Sequence, residues 1–599
     1  MKYICNPVNI NYRYQIREDA SGETAEAHRS AADPSLIEYH GRYYIFASST
    51  LSFWVSDDLV HWESHLLPKD LPQYGAAPDV RVLNDYVYYC ASARGPACDR
   101  YRTQDIANGP YERIPGTFDY WDPNLFVDDD GKVFFYWGSS NVTPIWGVEL
   151  DPETMVPKGE RVVLIEGHPF EIGFERFGED NSICPKTQEE GDALFEQALK
   201  DRGMTIEDIP VLERDIERAK MRNLPFLEGP WMDKHDGKYY LQYAVPATEH
   251  NVYSDGVYVS DKPLGPFVLA ENNPYSYKPG GYFPGAGHGS TMEDHAGNFW
   301  HVSTMRISVN DLFERRVGLW PAGFDADGEL FCNQRYGDWP LDVSGLEQDP
   351  WRDPKWMLLS SGKSVEASSY REGREPYKAV EENVQTWWQA AGNSRDEWLK
   401  VDLGKVYDVH AVQINFADDA SVIPMPKDIA PWKQPRFIDD RELQTQWKLE
   451  ASEDGETWFV VCDKSDAGTD LSHDFIVSEE GYAARYFRLS NIAVPYDLNP
   501  CISGLRVFGN GDGEAPKAPE FEVVRTNDLD MVVTIEPQED TVGYNILFGS
   551  AEDKLYHSWM VFKPGSLRVG SLIKGRNYFV RVDAFNESGI TEGTVLKQV

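Results

Sequence analysis

Residues 120–138 read YWDPNLFVDDDGKVFFYWG. An aspartate wedged between tryptophan and proline is followed by a D-D-G-K turn, and the turn leads into VFFYW, a run of strand-favouring residues. A single copy would be ordinary turn chemistry. The pattern recurs, and the recurrence decides the fold. HGRYYIFASS from His40, NDYVYYCASA from Asn84, DGKYYLQYAV from Asp236 and AGNFWHVSTM from Ala296 repeat the turn and the aromatic strand. The shorter intervals are about 45 residues, which suits a four-stranded blade. A short polar signature precedes each strand: AADPS at 31–35, AAPDV at 76–80, YWDPN at 120–124, LEGPW at 227–231 and GHGST at 287–291. Most copies are followed by another short strand with a charged turn, as in FWVSDDLVHWE from Phe53, WGVELDPETM from Trp146 and GVYVSDKPLG from Gly256.

Five copies predict an all-β fold whose first domain, residues 1–345, is a five-bladed β-propeller. The innermost strands of such a ring line a central channel, so equivalent signatures converge on one pocket. Asp33, Asp122 and Glu228 are the acidic members of blades 1, 3 and 4. Between blades 3 and 4, residues 166–227 form an insertion in which QEEGDALFEQALKDRG and DIPVLERDIERAKMRNL read as amphipathic helices. It ends just before Glu228, so it either walls the pocket and excludes longer ligands or is a decorative subdomain.

The chain has 599 residues and a formal net charge of −41, with 98 acidic and 57 basic side chains. That balance argues against nucleic acid or an anionic membrane surface as partner and is compatible with a neutral oligosaccharide or polysaccharide. Seven scattered cysteines give neither a disulfide framework nor a zinc cluster. The N-terminus, MKYICNPVNINYRY, lacks the apolar stretch of a signal peptide, so the chain as it stands is expected to be cytoplasmic.

Breaking a glycosidic bond needs a proton donor at the leaving oxygen and an opposing carboxylate. Asp33 suits a general base. Glu228, one methylene longer and placed before Gly-Pro, suits the general acid. Asp122 is placed to keep Glu228 protonated by like-charge repulsion. The A-D-P of blade 1, A-P-D-V of blade 2, D-P-N-L-F-x-D-D-D-G-K of blade 3, E-G-P of blade 4 and G-H-G-S of blade 5 together resemble glycoside hydrolase family 43, over residues 1 to about 340. The resemblance implies an inverting enzyme on a five-bladed propeller, with base, acid and tuning carboxylate at Asp33, Glu228 and Asp122. It also implies an axial histidine, His288, beside a calcium or other cation that the chemistry itself does not require, and a sugar-contacting arginine, Arg306. Trp54 and Trp121 complete the expected substrate-binding set. Blade 2 departs from the frequent W-A-P by carrying Ala76-Ala77-Pro78.

The other propeller hydrolases fit less well. No N-D-P-N-G stands near the start, as an invertase-like enzyme would show, and the sialidase-like SEDGETW at 452–458 occurs once and outside the propeller. A catalytically silent, glycan-binding propeller is the remaining alternative from a different class.

Beyond the propeller, EWLKVDLGKVYDVHAVQINF, QWKLEASEDGETWFVV and ARYFRLS alternate strands with polar turns. Residues 355–510 are expected to form a β-sandwich that resembles the discoidin-like (factor 5/8 type C) module, with Trp387 and Trp388 read as either sugar-stacking or core residues. Residues 516–599, ending in NYFVRVDAFNESG, resemble a fibronectin type III sandwich. The whole reads as an exo-acting α-L-arabinofuranosidase or β-xylosidase, with a galactofuranoside- or galactan-directed hydrolase as the alternative.

Overall fold

Strands that are apolar on both faces are stable only when both faces are covered. The computed structural model describes residues 2–68, 71, 75–92, 98–419, 421–427, 431–433 and 436–599. In it Val133–Trp137 is the second strand of a four-stranded antiparallel sheet. Alternate side chains enter two different cores. Phe134 and Tyr136 pack with Met232, Leu241 and Tyr243 of the following sheet, whereas Val133, Phe135 and Trp137 pack with Leu83, Tyr88 and Cys90 of the preceding one.

Five such four-stranded sheets, each in plain sequence order, are the blades of a propeller. Their innermost strands, Ser35–Tyr39, Ala76–Leu83, Asn124–Val127, Glu228–His235 and Gly287–Glu293, neighbour one another around a closed ring. Blades 1 and 5 meet across a shared core that includes Tyr43, Ile45, Trp54, Trp300 and Val317.

The polar signatures open these innermost strands. At the equivalent place in each blade one residue takes the left-handed backbone: Asp33 (φ 49°), Ala77 (47°), Asp122 (49°), Gly229 (55°) and His288 (53°). That region is sparsely used by residues with a Cβ, and hydrogen bonds from adjoining blades hold it. Hydroxyls near the ends of second strands, Thr304, Ser48 and Ser92, accept from the N–H groups of Asp33, Ala77 and Asp122 at 2.9, 2.6 and 2.8 Å. Two residues past the left-handed position, Ser35, Asp79, Asn124 and Ser290 accept from Val80, Leu125, Met232 and Leu36 N–H of the next blade at 3.1, 2.7, 2.9 and 3.0 Å. In blade 4 that position is Trp231, which has no acceptor to offer. There Asp255 accepts from His288 and Gly289 N–H instead, at 2.7 and 3.0 Å.

The insertion contains the two expected helices, α1 (Gln188–Asp201, opened by a Thr187–Glu190 capping box) and α2 (Val211–Met221). No helix among the described residues is long and apolar enough to cross a membrane.

The N-terminal segment does more than enter the first blade. The hairpin Arg13–Glu18 and Thr24–Ser30 joins Ser421–Pro424, Pro431–Lys433 and Arg436–Ile438 in one five-stranded sheet. Arg29, fully buried, donates from this hairpin to Asp418 (2.6 Å) and Asp470 (2.7 Å). The second domain is built on an eight-stranded sheet assembly. Trp387 and Trp388 are 2% and 0% exposed, which makes them core residues and leaves neither to stack on a sugar. At the C-terminus, sheets of three and five strands share one core. Arg176 of the insertion makes a buried ion pair with Asp530 of this last unit, and Gly173 N–H donates to Leu572 O at 2.8 Å.

Asn124 links three blades, because its Oδ1 accepts from Met232 N–H while its Nδ2 donates to Asp79 at 3.0 Å. Asn124→Ala strips the buried Met232 N–H and Asp79 Oδ1 of this partner, and is expected to cost about 3 kcal/mol, read as a lowered midpoint of urea unfolding.

Candidate active site

The left-handed positions aim side chains at the propeller axis. Asp33, Asp122 and His288 come together there, all more than nine-tenths buried. His288 Nδ1 lies 3.5 Å from Asp33 Oδ1 and 3.8 Å from Asp122 Oδ2. Glu228 sits one residue before its blade's left-handed position, which is Gly229, and is partly exposed. Gly229 is needed twice over. Its φ is +55°, and a Cβ there would stand 2.6 Å from the His288 ring.

The three carboxyl groups have different surroundings. Asp33 accepts from Ser48 Oγ at 2.6 Å and from the Arg315 guanidinium at 3.1 Å. Burial works against its charge, but Arg315, His288 and the hydroxyl bonds outweigh burial and hold it below the ordinary aspartate value. Glu228 accepts from Tyr253 OH at 2.6 Å and Ser139 Oγ at 3.2 Å. Burial first, and then repulsion from Asp122, push its pKa up to about 7 against the opposing pull of His288. Asp122, bonded by Ser92 Oγ and by Gly229 N–H, both at 3.3 Å, is itself raised by burial despite the nearby imidazole. His288 is pulled down by burial but raised more by Asp33, Asp122 and Glu228 together. One carboxyl is thus set to be ionised and another to keep its proton near neutrality, which is the arrangement that acid–base cleavage of an acetal requires.

The remaining expected residues divide. Trp121 is half-buried beside Asp122 and occupies in blade 3 the place that Glu228 has in blade 4. Arg306 bonds Glu179 of the insertion (3.1 Å) and Asn251 (2.5 Å). Trp54 is a correction: it is 0% exposed in the core between blades 1 and 5, and its indole N–H donates to Asn11 at 2.8 Å, so no sugar reaches it. Among the described residues no group of three or more His, Cys, Asp or Glu side chains is placed to hold a metal ion. His288 turns Nδ1 toward the Asp33 and Asp122 carboxylates.

Sequence reasoning missed Arg315, Tyr253, Ser48 and Ser92. Only the serines left a trace: Ala47-Ser48 and Ala91-Ser92 close matching strands in blades 1 and 2.

Comparison with known proteins decides the family. Residues 27–175 and 180–330, half of the chain, match the sequence model of glycosyl hydrolases family 43. The chain belongs to glycosyl hydrolase family 43. It is therefore a glycoside hydrolase, and the family match falls on the propeller. Residues 378–489 match the NedA-like, galactose-binding domain of the factor 5/8 type C group, in agreement with the discoidin-like expectation. A xylosidase/arabinosidase of Bacteroides ovatus is 29% identical over 274 residues, spanning 40% of this chain and 76% of that one. The xylosidase/arabinosidase 43A of Humicola insolens is 30% identical over 285 residues, spanning 40% and 78%. An endo-α-(1→5)-L-arabinanase of Thermotoga petrophila is 24% identical over 407 residues, 56% of this family 43 chain and 80% of the relative.

The Thermotoga relative is extracellular, which overturns the cytoplasmic placement expected from the N-terminal sequence. Tyr3–Ile4 pairs with Leu341–Asp342 as part of the folded body.

The protonation pattern has a measurable sign. If Glu228 must carry its proton, the alkaline limb of kcat/KM lies near pH 7, with activity falling as pH rises through that value. Asp122→Asn removes the repulsion and is expected to move this alkaline limb to lower pH, as read from pH–rate profiles.

Proposed function

We propose that the enzyme is an inverting, exo-acting hydrolase of terminal α-L-arabinofuranosyl or β-D-xylosyl residues on short plant-type oligosaccharides. The observation that carries this reading is the split between two carboxyl groups in one pocket, Asp33 ionised beside Arg315 and Glu228 protonated beside Asp122. Asp33 takes a proton from water as the water oxygen bonds to the anomeric carbon. The glycosidic C–O bond breaks, and the leaving oxygen departs with the proton from Glu228. Asp122 acts on Glu228 and not on the sugar. Arg315 and Ser48 keep Asp33 charged, while Tyr253 and Ser139 orient Glu228.

The names of the Bacteroides and Humicola relatives support the choice of sugars. The exo character is supported by the placement of the insertion, which ends immediately before Glu228. A cation held near His288 would be structural and stand outside the reaction described. Residues 516–599 we read as a fibronectin type III-like unit, supported by their three- and five-strand pair of sheets.

The test is a panel of p-nitrophenyl glycosides (α-L-arabinofuranoside, β-D-xyloside, β-D-galactofuranoside) assayed beside Glu228→Gln. Hydrolysis of one of the first two, lowered about 10²–10⁴-fold in the variant, is expected. Early NMR spectra of the released sugar should show the anomer of inverted configuration. Turnover confined to the galactofuranoside, or a Glu228→Gln protein as active as wild type, would reject the reading.

A further inference from the structure

The face of the propeller that carries the site continues outward past Glu228. In blade 3 the innermost strand starts at Asn124, next to Asp122, and the second strand ends at Trp137, so the connection 138–144 returns to that same face. The outer strand, Val162–Ile165, also ends there and gives way to the insertion. Between this connection and helix α2 lies a groove of about 410 Å³, within the range of small-ligand sites.

We propose that this groove is a binding subsite for the leaving-group side of a neutral oligosaccharide. The inference rests on the reading of Glu228 as proton donor, because the donor stands on the leaving-group side of the bond it breaks. The inner end of the groove is fixed beside that residue. Leu227, immediately before Glu228, exchanges backbone hydrogen bonds with Ser140 at 3.1 and 3.0 Å. The preceding Ser139 is the residue whose hydroxyl donates to Glu228 Oε2 at 3.2 Å. The next residue outward, Asn141, lines the groove.

Asn141 supplies an independent pointer to a ligand. It is 6% exposed, and its Nδ2 donor has no hydrogen-bond partner. A buried donor left unpaired is expensive, and a sugar hydroxyl offers the missing acceptor. The opposite wall is already held in place, because Arg222 donates to Gln188 Oε1 at 3.0 Å and to Lys186 O at 3.2 Å. Acidic and basic lining residues balance, Glu166 and Asp215 against Arg218 and Arg222. That balance favours an uncharged, hydroxyl-rich ligand over a uronic acid or a cation. The insertion on this reading extends the site on the leaving-group side.

The experiment compares kcat/KM on di-, tri- and tetrasaccharides of the β-1,4-xylosyl and α-1,5-arabinosyl series with that on the p-nitrophenyl glycosides. Wild type is set against Thr143→Trp, which fills the groove from an exposed position, and Asn141→Ala. In wild type kcat/KM is expected to rise about tenfold from di- to tetrasaccharide, equivalent to ~1.4 kcal/mol. Thr143→Trp should abolish the rise, and Asn141→Ala should reduce it. No rise in wild type that hydrolyses aryl glycosides, or a rise that survives Thr143→Trp, would overturn the proposal. If no glycoside is turned over at all, the proposed function fails, and calorimetric titration with the tetrasaccharides then decides the groove separately. Binding heat lost in Thr143→Trp supports the subsite; heat that is absent in wild type, or unchanged in the variant, refutes it.

Discussion

Everything in this molecule hangs on a ring of five left-handed residues. A backbone turned to positive φ at the head of each innermost strand breaks the ladder locally, and each break strands polar groups that must be satisfied. The ladder skips from Ala76 to Asp79, from Glu228 to Trp231 and from Gly287 to Ser290. Proline at 78 and 230 removes one of the donors that the break would leave unpaired, and Gly289, where no proline stands, donates to Asp255 instead. Hydroxyls and amides from neighbouring blades take up the rest. Asp122 is wedged between Trp121 and Pro123 because that dipeptide serves the closure of the ring before it serves chemistry.

The chemistry then uses what closure provides. Residues at the left-handed positions share a direction, and this brings Asp33, Asp122 and His288 within one small volume. Glu228 breaks the symmetry. It lies one step earlier along the chain, so blade 4 gives its ring position to Gly229, and the imidazole of blade 5 packs over that glycine. The displacement separates the environments of the carboxyl groups: Asp33 has a guanidinium, whereas Glu228 has hydroxyl donors and a repelling neighbour. A set of side chains on an exact fivefold pattern would have no such inequality to offer.

The blades were legible because VFFYW and its four counterparts have no solvent face, a condition that few folds besides stacked blades satisfy in so regular a series. Asp33, Asp122, Glu228 and His288 were legible because each lies inside a repeated signature. Arg315 and Tyr253 were not, since both reach the site from strands or loops whose sequence carries no repeated mark and whose partners are distant in the chain. Trp54 shows the opposite failure. A tryptophan in a blade looks like a sugar platform, yet the same residue type fills the gap between adjoining blades, and only its burial tells the two apart. Trp387 and Trp388 repeat that lesson in the second domain.

The sheet shared by the N-terminal hairpin and strands 421–438 has a consequence for how this chain can be taken apart. Sequence suggests three beads joined by linkers, but the first strands of the first bead are woven into the second, and Arg29 is sealed between them. Excising the propeller at its apparent boundary would strip Thr24–Ser30 of its partner Ser421–Pro424 and bare a strand edge, the kind of surface that recruits other chains. The modules of this enzyme are thus not interchangeable parts, and recombination or engineering that respects the architecture must cut elsewhere or carry the hairpin's partners along.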